Sequence, residues 1–215
     1  MTKDELLQLA KDYSHRNDFD SLFDAFLAFT ESRIAEKVRS SEMVVFTTID
    51  TGAVSPVQGN AYALPDDYLE MKDVSVNISG GRVATLRAVG RDEINAASST
   101  TAGGVPSVYN VQDLTIEVRP GPSERIINLT YYGRLAELVN GTDTNDLLGR
   151  YTALYLYGIL TEIWNWSQNE DQRDLTRARF EGEIEAINNL TWNQEFGTAP
   201  TGFSGNNYSA VGSRL

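Results

Sequence analysis

The sequence contains no cysteine and a single histidine, His15, which lies in a polar stretch. Without cysteine there can be no disulfide, no thiolate metal site and no cysteine nucleophile. One histidine in a polar loop provides neither a two-histidine metal site nor a catalytic triad within one subunit. These absences argue against several common kinds of active site, and we expect no bound metal and no cofactor.

Long apolar runs and an excess of basic residues are also missing. No window approaches the roughly 18 to 20 apolar residues of a membrane span, and the first residues lack the basic and apolar regions of a signal peptide. The net charge of −12 and the pI near 4.5 argue against non-specific binding of nucleic acid, because phosphate contacts require clustered Lys and Arg. We therefore expect a protein that is made in the cytoplasm and has no membrane partner.

Few of the remaining residues suggest catalysis or sugar binding. Asp66 and Asp67 would supply paired carboxylates to a hydrolase, but they follow a proline at the start of a strand, where Asp commonly stabilises a turn. Trp164, Trp166 and Trp192 would suit a sugar platform, but they lie in predicted helices or at a helix end, where aromatic side chains usually belong to a core or an interface. The prediction is a protein without enzymatic activity. A hydrolase using Asp66 or Asp67 and a carbohydrate-binding module remain the alternatives.

Helical periodicity begins at the N-terminus. Thr2 and Glu5 form a capping-box pattern, which predicts that a short helix begins there. A polar break follows, in which Asp18 or Asp20 is suited to cap a second helix. That helix is predicted over residues 21–39, and its apolar residues, Phe29 among them, are expected to form one buried face.

The helical period returns in the last third of the chain. Residues 143–168 and 170–192 form two long patterns, which predict a helical hairpin. The first helix is apolar on more than one face, which places it either at the centre of a core or against a neighbouring subunit. The second is more polar, with Leu175 among the apolar residues expected on its buried side. We expect residues 1–41 and 134–195 to form one helical bundle.

Between these helical regions the period is that of β-strands. Residues 111–118 and 125–132 are rich in β-branched and aromatic residues, and alternation in the first run predicts that Leu114 lies on a buried face. Because residues 120–122 are Pro-Gly-Pro, the two runs predict a β-hairpin. Further strand patterns lie at residues 43–49, 60–64, 70–78, 83–89 and 107–110. We expect residues 42–133 to form a small antiparallel β-sandwich or barrel inserted in the helical bundle, which makes the fold class α+β.

Residues 196–215 differ in composition from the rest of the chain. Gly, Ser, Thr, Asn and Pro dominate, Arg214 is the only charged side chain, and no apolar period is present. Such a segment is either a frayed terminus or an extended tail whose spaced anchors become ordered on a partner. The hypothesis here is a partner-binding tail, with the candidate anchors Phe203, Tyr208, Val211, Arg214 and Leu215.

A series of short motifs within residues 1–192 points to a known protein family. They are LPDDYLE at 64–70, GVPSVY at 104–109, LTIEVRPGP at 114–122, LTYY at 129–132, and a helix that opens with NDLL at 145–148 and continues with Tyr151, Ala153, Leu154 and Leu156. In this order the motifs resemble those of tailed-phage head-to-tail adaptor (connector) proteins, particularly the adaptors of short-tailed phages.

The resemblance implies a structural virion protein with no enzymatic activity. Its fold would be a helical bundle that carries a β-domain. Its copies would form a ring, commonly a dodecamer, beneath the portal protein, and their C-terminal tails would reach onto the portal. The ring would offer a platform for the tail nozzle and fibre proteins, and genomic DNA would pass through its channel during ejection without specific binding.

A closed ring requires a heterologous contact between neighbouring subunits. We expect the helix over residues 147–166, with parts of the helix over 170–192, to make this contact. The candidate interface residues are Tyr151, Tyr155, Leu156, Trp164 and Trp166, and the five tail anchors are the candidate portal contacts. An acidic chain also suits a DNA channel, because a negative lumen would not hold phosphate.

Overall fold

The computed structural model of the chain describes residues 1–78, 82–97, 105–121 and 125–196. The helices are α1 (Lys3–Ser14), α2 (Phe23–Lys37), α3 (Arg91–Ala96), α4 (Asp146–Arg150), α5 (Thr152–Trp166) and α6 (Glu170–Phe196). The strands are β1 (Val44–Asp50), β2 (Ala61–Ala63), β3 (Tyr68–Ile78), β4 (Arg82–Thr85), β5 (Arg87–Ala88), β6 (Val108–Gln112), β7 (Thr115–Arg119) and β8 (Ile126–Gly133). Apart from the short α3 between β5 and β6, the helices and the mainly antiparallel sheets occupy separate stretches of the chain, which confirms the predicted α+β class.

The strands form two four-stranded sheets that share one core. The first sheet has the order β1-β8-β3-β4 and the second the order β2-β7-β6-β5. Pairing is antiparallel except for the short parallel pair of β5 and β6. Val74 and Leu129 of the first sheet and Ile116 and Val118 of the second belong to one buried cluster. The arrangement is a β-sandwich.

The predicted hairpin between residues 111–118 and 125–132 is wrong. β7 pairs with β2 and β6, whereas β8 pairs with β1 and β3 in the other sheet. The first run is itself part of a hairpin between β6 and β7, because Asp113 and Leu114 have φ angles of 47° and 57° and form the turn between those strands. Leu114 is therefore exposed at a turn and not buried in a strand.

α5 occupies the centre of the helical bundle. It contacts α1, α2, α4 and α6, and most of its side chains between Leu154 and Ile163 are buried. Its apolar character on several faces thus reflects a central position in the core. The single helix predicted over residues 143–168 is divided, since α4 ends at Arg150 and Tyr151 (φ −122°, ψ 55°) separates it from α5.

The N-terminal helices agree only in part with the sequence patterns. The predicted capping box is confirmed, since Thr2 Oγ1 accepts the Glu5 N–H at 3.3 Å and the Glu5 carboxylate accepts the Thr2 N–H at 2.8 Å. The predicted cap from Asp18 or Asp20 is wrong, because α2 begins without a side-chain cap. Phe29 does not join the buried face, since it is 57% exposed.

Candidate interaction surfaces

The helical bundle and the β-sandwich meet at the end of β8. Tyr131 belongs to the core of the sandwich, whereas Tyr132, the next residue, belongs to the core of the bundle. The Arg39 guanidinium lies 5.8 Å from the centre of the Tyr132 ring, and Arg39 Nε lies 2.7 Å from a carboxylate oxygen of Glu70. Because consecutive side chains of a strand point to opposite faces, one dipeptide connects both cores.

A second connection joins the end of α4 to the start of β1. Arg150, the last residue of α4, forms an ion pair with Glu42, which lies just before β1. The Glu42 side chain is mostly buried, whereas that of Arg150 is half exposed. The two connections hold the sandwich against the bundle, so the surfaces of both parts are presented in a defined relative position.

Asp67, one of the two carboxylates considered for catalysis, has a structural role. Tyr131 Oη donates to Asp67 Oδ1 at 2.8 Å, and the Arg134 N–H donates to the Asp67 carbonyl at 2.7 Å. Burial and the nearby Asp67 carboxylate raise the pKa of Tyr131 to about 12. These bonds connect the turn at Asp66 and Asp67 to the end of β8. The position of the Asp67 carboxylate is therefore explained by this structural role, and no catalytic role is needed to explain it.

The described residues show neither a cluster of metal ligands nor a membrane-spanning helix. Over the part of the chain that the structure describes, no three His, Asp or Glu side chains lie where they would hold a metal ion together. His15 is exposed and follows the last residue of α1. Within the same ranges, every helix is too short or too polar to cross a membrane.

The residues predicted for the subunit contact lie at different depths. Tyr155 and Leu156 are 1% and 4% exposed and belong to the core of their own subunit. The Tyr155 hydroxyl accepts from the Asn145 amide at 3.0 Å. Tyr151 and Trp164 are half-buried, and Trp166 is 42% exposed. Of these five side chains, Trp166 therefore offers the most accessible surface to a partner.

Trp166 lies within a larger apolar surface formed by α5 and α2. Its ring centroid is 6.4 Å from that of Phe26, and the Arg16 guanidinium lies 5.1 Å from the centre of the indole. Phe29 lies one helical turn after Phe26 on α2 and is exposed. We call Arg16, Phe29 and Trp166 the Trp166 surface; Phe26, which is 6% exposed, is the buried side chain against which the indole packs. Sequence reasoning placed Phe29 in the core, although the spacing of the buried residues of α2 leaves it outside their face.

A second accessible apolar surface runs along α6. Leu175 was predicted to be buried but is 46% exposed, because the buried face of α6 is formed by other residues: Thr176, Phe180, Ile184, Ile187 and Thr191. Glu181 and Asn188 face Lys37 at the end of α2. The side of α6 that lies roughly 120° around the helix from Glu181 and Asn188 carries exposed small and apolar residues. These residues, called the α6 stripe below, are Leu175, Ala178, Gly182, Ala186 and Leu190.

The candidate portal contacts all belong to the tail. Phe203, Tyr208, Val211, Arg214 and Leu215 lie outside the described residues. The residues described before the tail end with α6, whose last residue is Phe196. The tail therefore begins where α6 ends.

A family match relates the chain to known proteins. The family model described as "SU10 adaptor protein" matches residues 1–202. This range includes α1 to α6 and both sheets of the sandwich. No curated protein matches the chain.

Proposed function

Since this chain belongs to the SU10 adaptor protein family and therefore has a structural role as a phage adaptor, we propose that its copies form a ring between the portal and the tail. The ring joins the portal protein to the tail nozzle and fibre proteins and leaves a channel for DNA. A dodecamer is the expected assembly. The protein is made in the host cytoplasm and becomes part of the virion at the head-to-tail interface.

The accessible apolar surfaces support a ring contact between subunits. In a heterologous contact, two different surfaces of each subunit meet, one from each neighbour. The Trp166 surface and the α6 stripe are two such surfaces, and the stripe lies away from the side of α6 that faces α2. Small residues such as Gly182 allow a neighbouring helix to approach closely. The exposure of these two surfaces is the observation that carries the proposal.

The tail supplies the contact with the portal in this proposal. Residues 197–215 contain a single charged side chain, that of Arg214, and their apolar residues are widely spaced. An extended segment of this kind gains affinity when separate side chains enter pockets on a partner surface. Phe203, Tyr208, Val211, Arg214 and Leu215 are the proposed anchors. The net charge of −12 suits a channel from which DNA must leave without being held.

Particle imaging of the protein mixed with the portal of its own phage tests the proposal. The full-length chain is expected to add a ring beneath the portal. A chain truncated after Phe196 is expected to bind the portal less completely, because the anchors are removed. Absence of any association, together with stabilisation of a monomer by a polysaccharide, would favour the carbohydrate-binding alternative.

A further inference from the structure

A cleft of about 650 Å³ lies between α2 and the connection from β8 to α4. Its volume is within the range of pockets that bind small ligands or single side chains of a partner. Apolar side chains from the bundle, the sandwich and the connection line it, and they include Leu27, Ile34, Met43, Leu69 and Leu138. The cleft therefore offers an apolar floor at the boundary between the two parts of the fold.

Acidic side chains dominate the rim of this cleft. Asp24, Glu31, Glu36 and Glu137 line it together with two cationic residues, Lys3 and Arg134. The Lys3 ammonium lies 2.9 Å from Asp24 Oδ1 and donates to the Val139 carbonyl at 2.6 Å. Lys3 is thus already engaged by groups other than Glu31 and Glu137.

Glu31 and Glu137 are the rim residues whose negative charge is only partly offset by nearby cations. Burial, followed by the nearby Glu137 carboxylate, raises the pKa of Glu31 to about 7. A backbone hydrogen bond from Leu138 and the charge of Lys3 offset only part of this effect. A cation placed between the two carboxylates would remove the repulsion that disfavours the charged form.

We propose that the cleft binds residues 211–215 of the chain's own tail. Arg214 pairs with Glu31 and Glu137, and Leu215 and Val211 contact the apolar floor. The acidic rim is complementary to the only charged side chain of the tail, and two apolar residues lie close to it in sequence: Leu215 follows Arg214 directly and Val211 precedes it by three positions. A guanidinium is suited to this position because its planar fork bonds to carboxylates with two parallel hydrogen bonds.

The tail is long enough to reach the cleft of its own subunit. Arg214 follows Phe196 by eighteen positions (214 − 196 = 18), a length of chain that spans up to about 60 Å when extended. Near its end α6 lies against the end of α2, since the Asn188 amide donates to the Lys37 carbonyl at 2.9 Å. The tail needs only to pass around α2, a helix about 10 Å across, to enter the cleft on its other side.

This docking describes the free subunit. Arg214 and Leu215 are also proposed portal contacts, so a portal would compete with the cleft for the same residues. That competition rests on the proposed function, whereas the docking itself does not. The adaptor would then expose its tail anchors only where a portal is present to receive them.

Distance measurement between two spin labels in the full-length protein tests the docking. The chain has no cysteine, so Ser32→Cys at the cleft and Ser213→Cys beside Arg214 can be labelled selectively. A short, narrow distance distribution is expected, and Arg214→Glu should abolish it, because a carboxylate would face Glu31 and Glu137. Arg82→Glu, a charge reversal on the exposed strand β4, should leave it unchanged. The pair Thr48→Cys and Ser213→Cys, with the first label on the outer face of β1, should give a broad distribution.

Two outcomes would overturn the proposal. One is an identical distribution with and without Arg214→Glu. The other is loss of the short distance when labelled protein is diluted with unlabelled protein, since this would place the tail in a second copy. Hydrogen exchange without labels gives an independent check, and amides of residues 134–139 should exchange several-fold faster in Arg214→Glu. If a short distance is present but addition of portal does not change it, the docking stands and the proposed function fails.

Discussion

The side-chain oxygen of Asn188 accepts the backbone N–H of Arg39 at 2.8 Å. The amide nitrogen of the same side chain donates to the Lys37 carbonyl at 2.9 Å. Both backbone groups lie at the C-terminal end of α2, where the last carbonyls of a helix have no partner within it. One side chain of α6 thus completes the end of α2, at the point where the chain leaves the bundle for the sandwich.

Asn188→Ala should lower the free energy of unfolding by about 1 to 3 kcal/mol, because two hydrogen bonds are lost and the partly buried N–H of Arg39 is left without that partner. The matched control is Asn189→Ala, at an exposed neighbouring position, which should change the free energy of unfolding by less than about 0.5 kcal/mol. Urea denaturation of both variants measures the difference. Equal effects of the two substitutions would contradict the role given to Asn188.

The same substitution at two helical glycines should have opposite effects. A Cβ at Gly158 of α5 would overlap the methyl group of Thr30 and lie 3.1 Å from the Phe180 ring, whereas a Cβ at Gly182 of α6 would meet no atom within 4 Å. Gly158→Ala should therefore destabilise the subunit by about 1 to 3 kcal/mol. Gly182→Ala should stabilise it by about 0.5 to 1 kcal/mol through helix propensity. Thermal unfolding measures both, and a shift of the same sign would contradict this description of the core.

The stability of the subunit should depend on pH through Glu31. The groups that face its carboxyl are Glu137 from the connection, Lys3 from α1 and Tyr155 from α5. Its pKa rises from an ordinary value of 4.5 to about 7 on folding. At pH values between these two pKa values, the folded state retains a proton that the unfolded state has released. The free energy of unfolding therefore falls as the pH rises.

This effect should amount to about 1 to 2 kcal/mol after allowance for solvent screening. It is best measured by urea unfolding in the Arg214→Glu background, in which the proposed cation is absent from the cleft. Adding Glu31→Gln should remove this part of the pH dependence, because an amide does not titrate. An unchanged slope between about pH 5 and pH 7 after that substitution would show that Glu31 is not its source.

Much of the helical region was predictable because its signals are local. The capping box at Thr2 and Glu5 depends on residues three apart, and the patterns for α2, α5 and α6 repeat over several turns. The motif-based assignment to the adaptor proteins is likewise confirmed by the family match. The break at Tyr151 was not predictable in the same way, since no proline marks it.

The topology of the sandwich was less accessible from sequence. Neighbouring strands in a chain usually pair with each other, but β7 and β8 lie in different sheets. No local sequence pattern distinguishes a hairpin from a connection between two sheets. The turn at Leu114 was not predictable, because residues other than glycine rarely adopt the left-handed backbone conformation that Leu114 has. Its apolar side chain also continued the alternation of β7.

The candidate interface was predictable only as a region. An apolar helix indicated either a core or a subunit contact, and burial of Tyr155 and Leu156 shows that much of α5 serves the core. The surfaces that remain accessible combine residues from different helices, as Phe29 and Trp166 do. Such combinations depend on packing between helices, which a single sequence pattern does not encode.

The ring contact is the central claim, and Gly182→Arg tests it most directly. The substitution places a long charged side chain in the middle of the α6 stripe, where open space lets the subunit fold. Gly149→Arg in α4 is the matched control, because a Cβ there also meets no atom within 4 Å. Particle imaging of each protein with the portal should show rings for the unmodified chain and for Gly149→Arg. Gly182→Arg, with unchanged thermal stability, should form no ring. Complete rings from folded Gly182→Arg would contradict the contact through the α6 stripe, and absence of rings from the unmodified chain would contradict the adaptor ring itself.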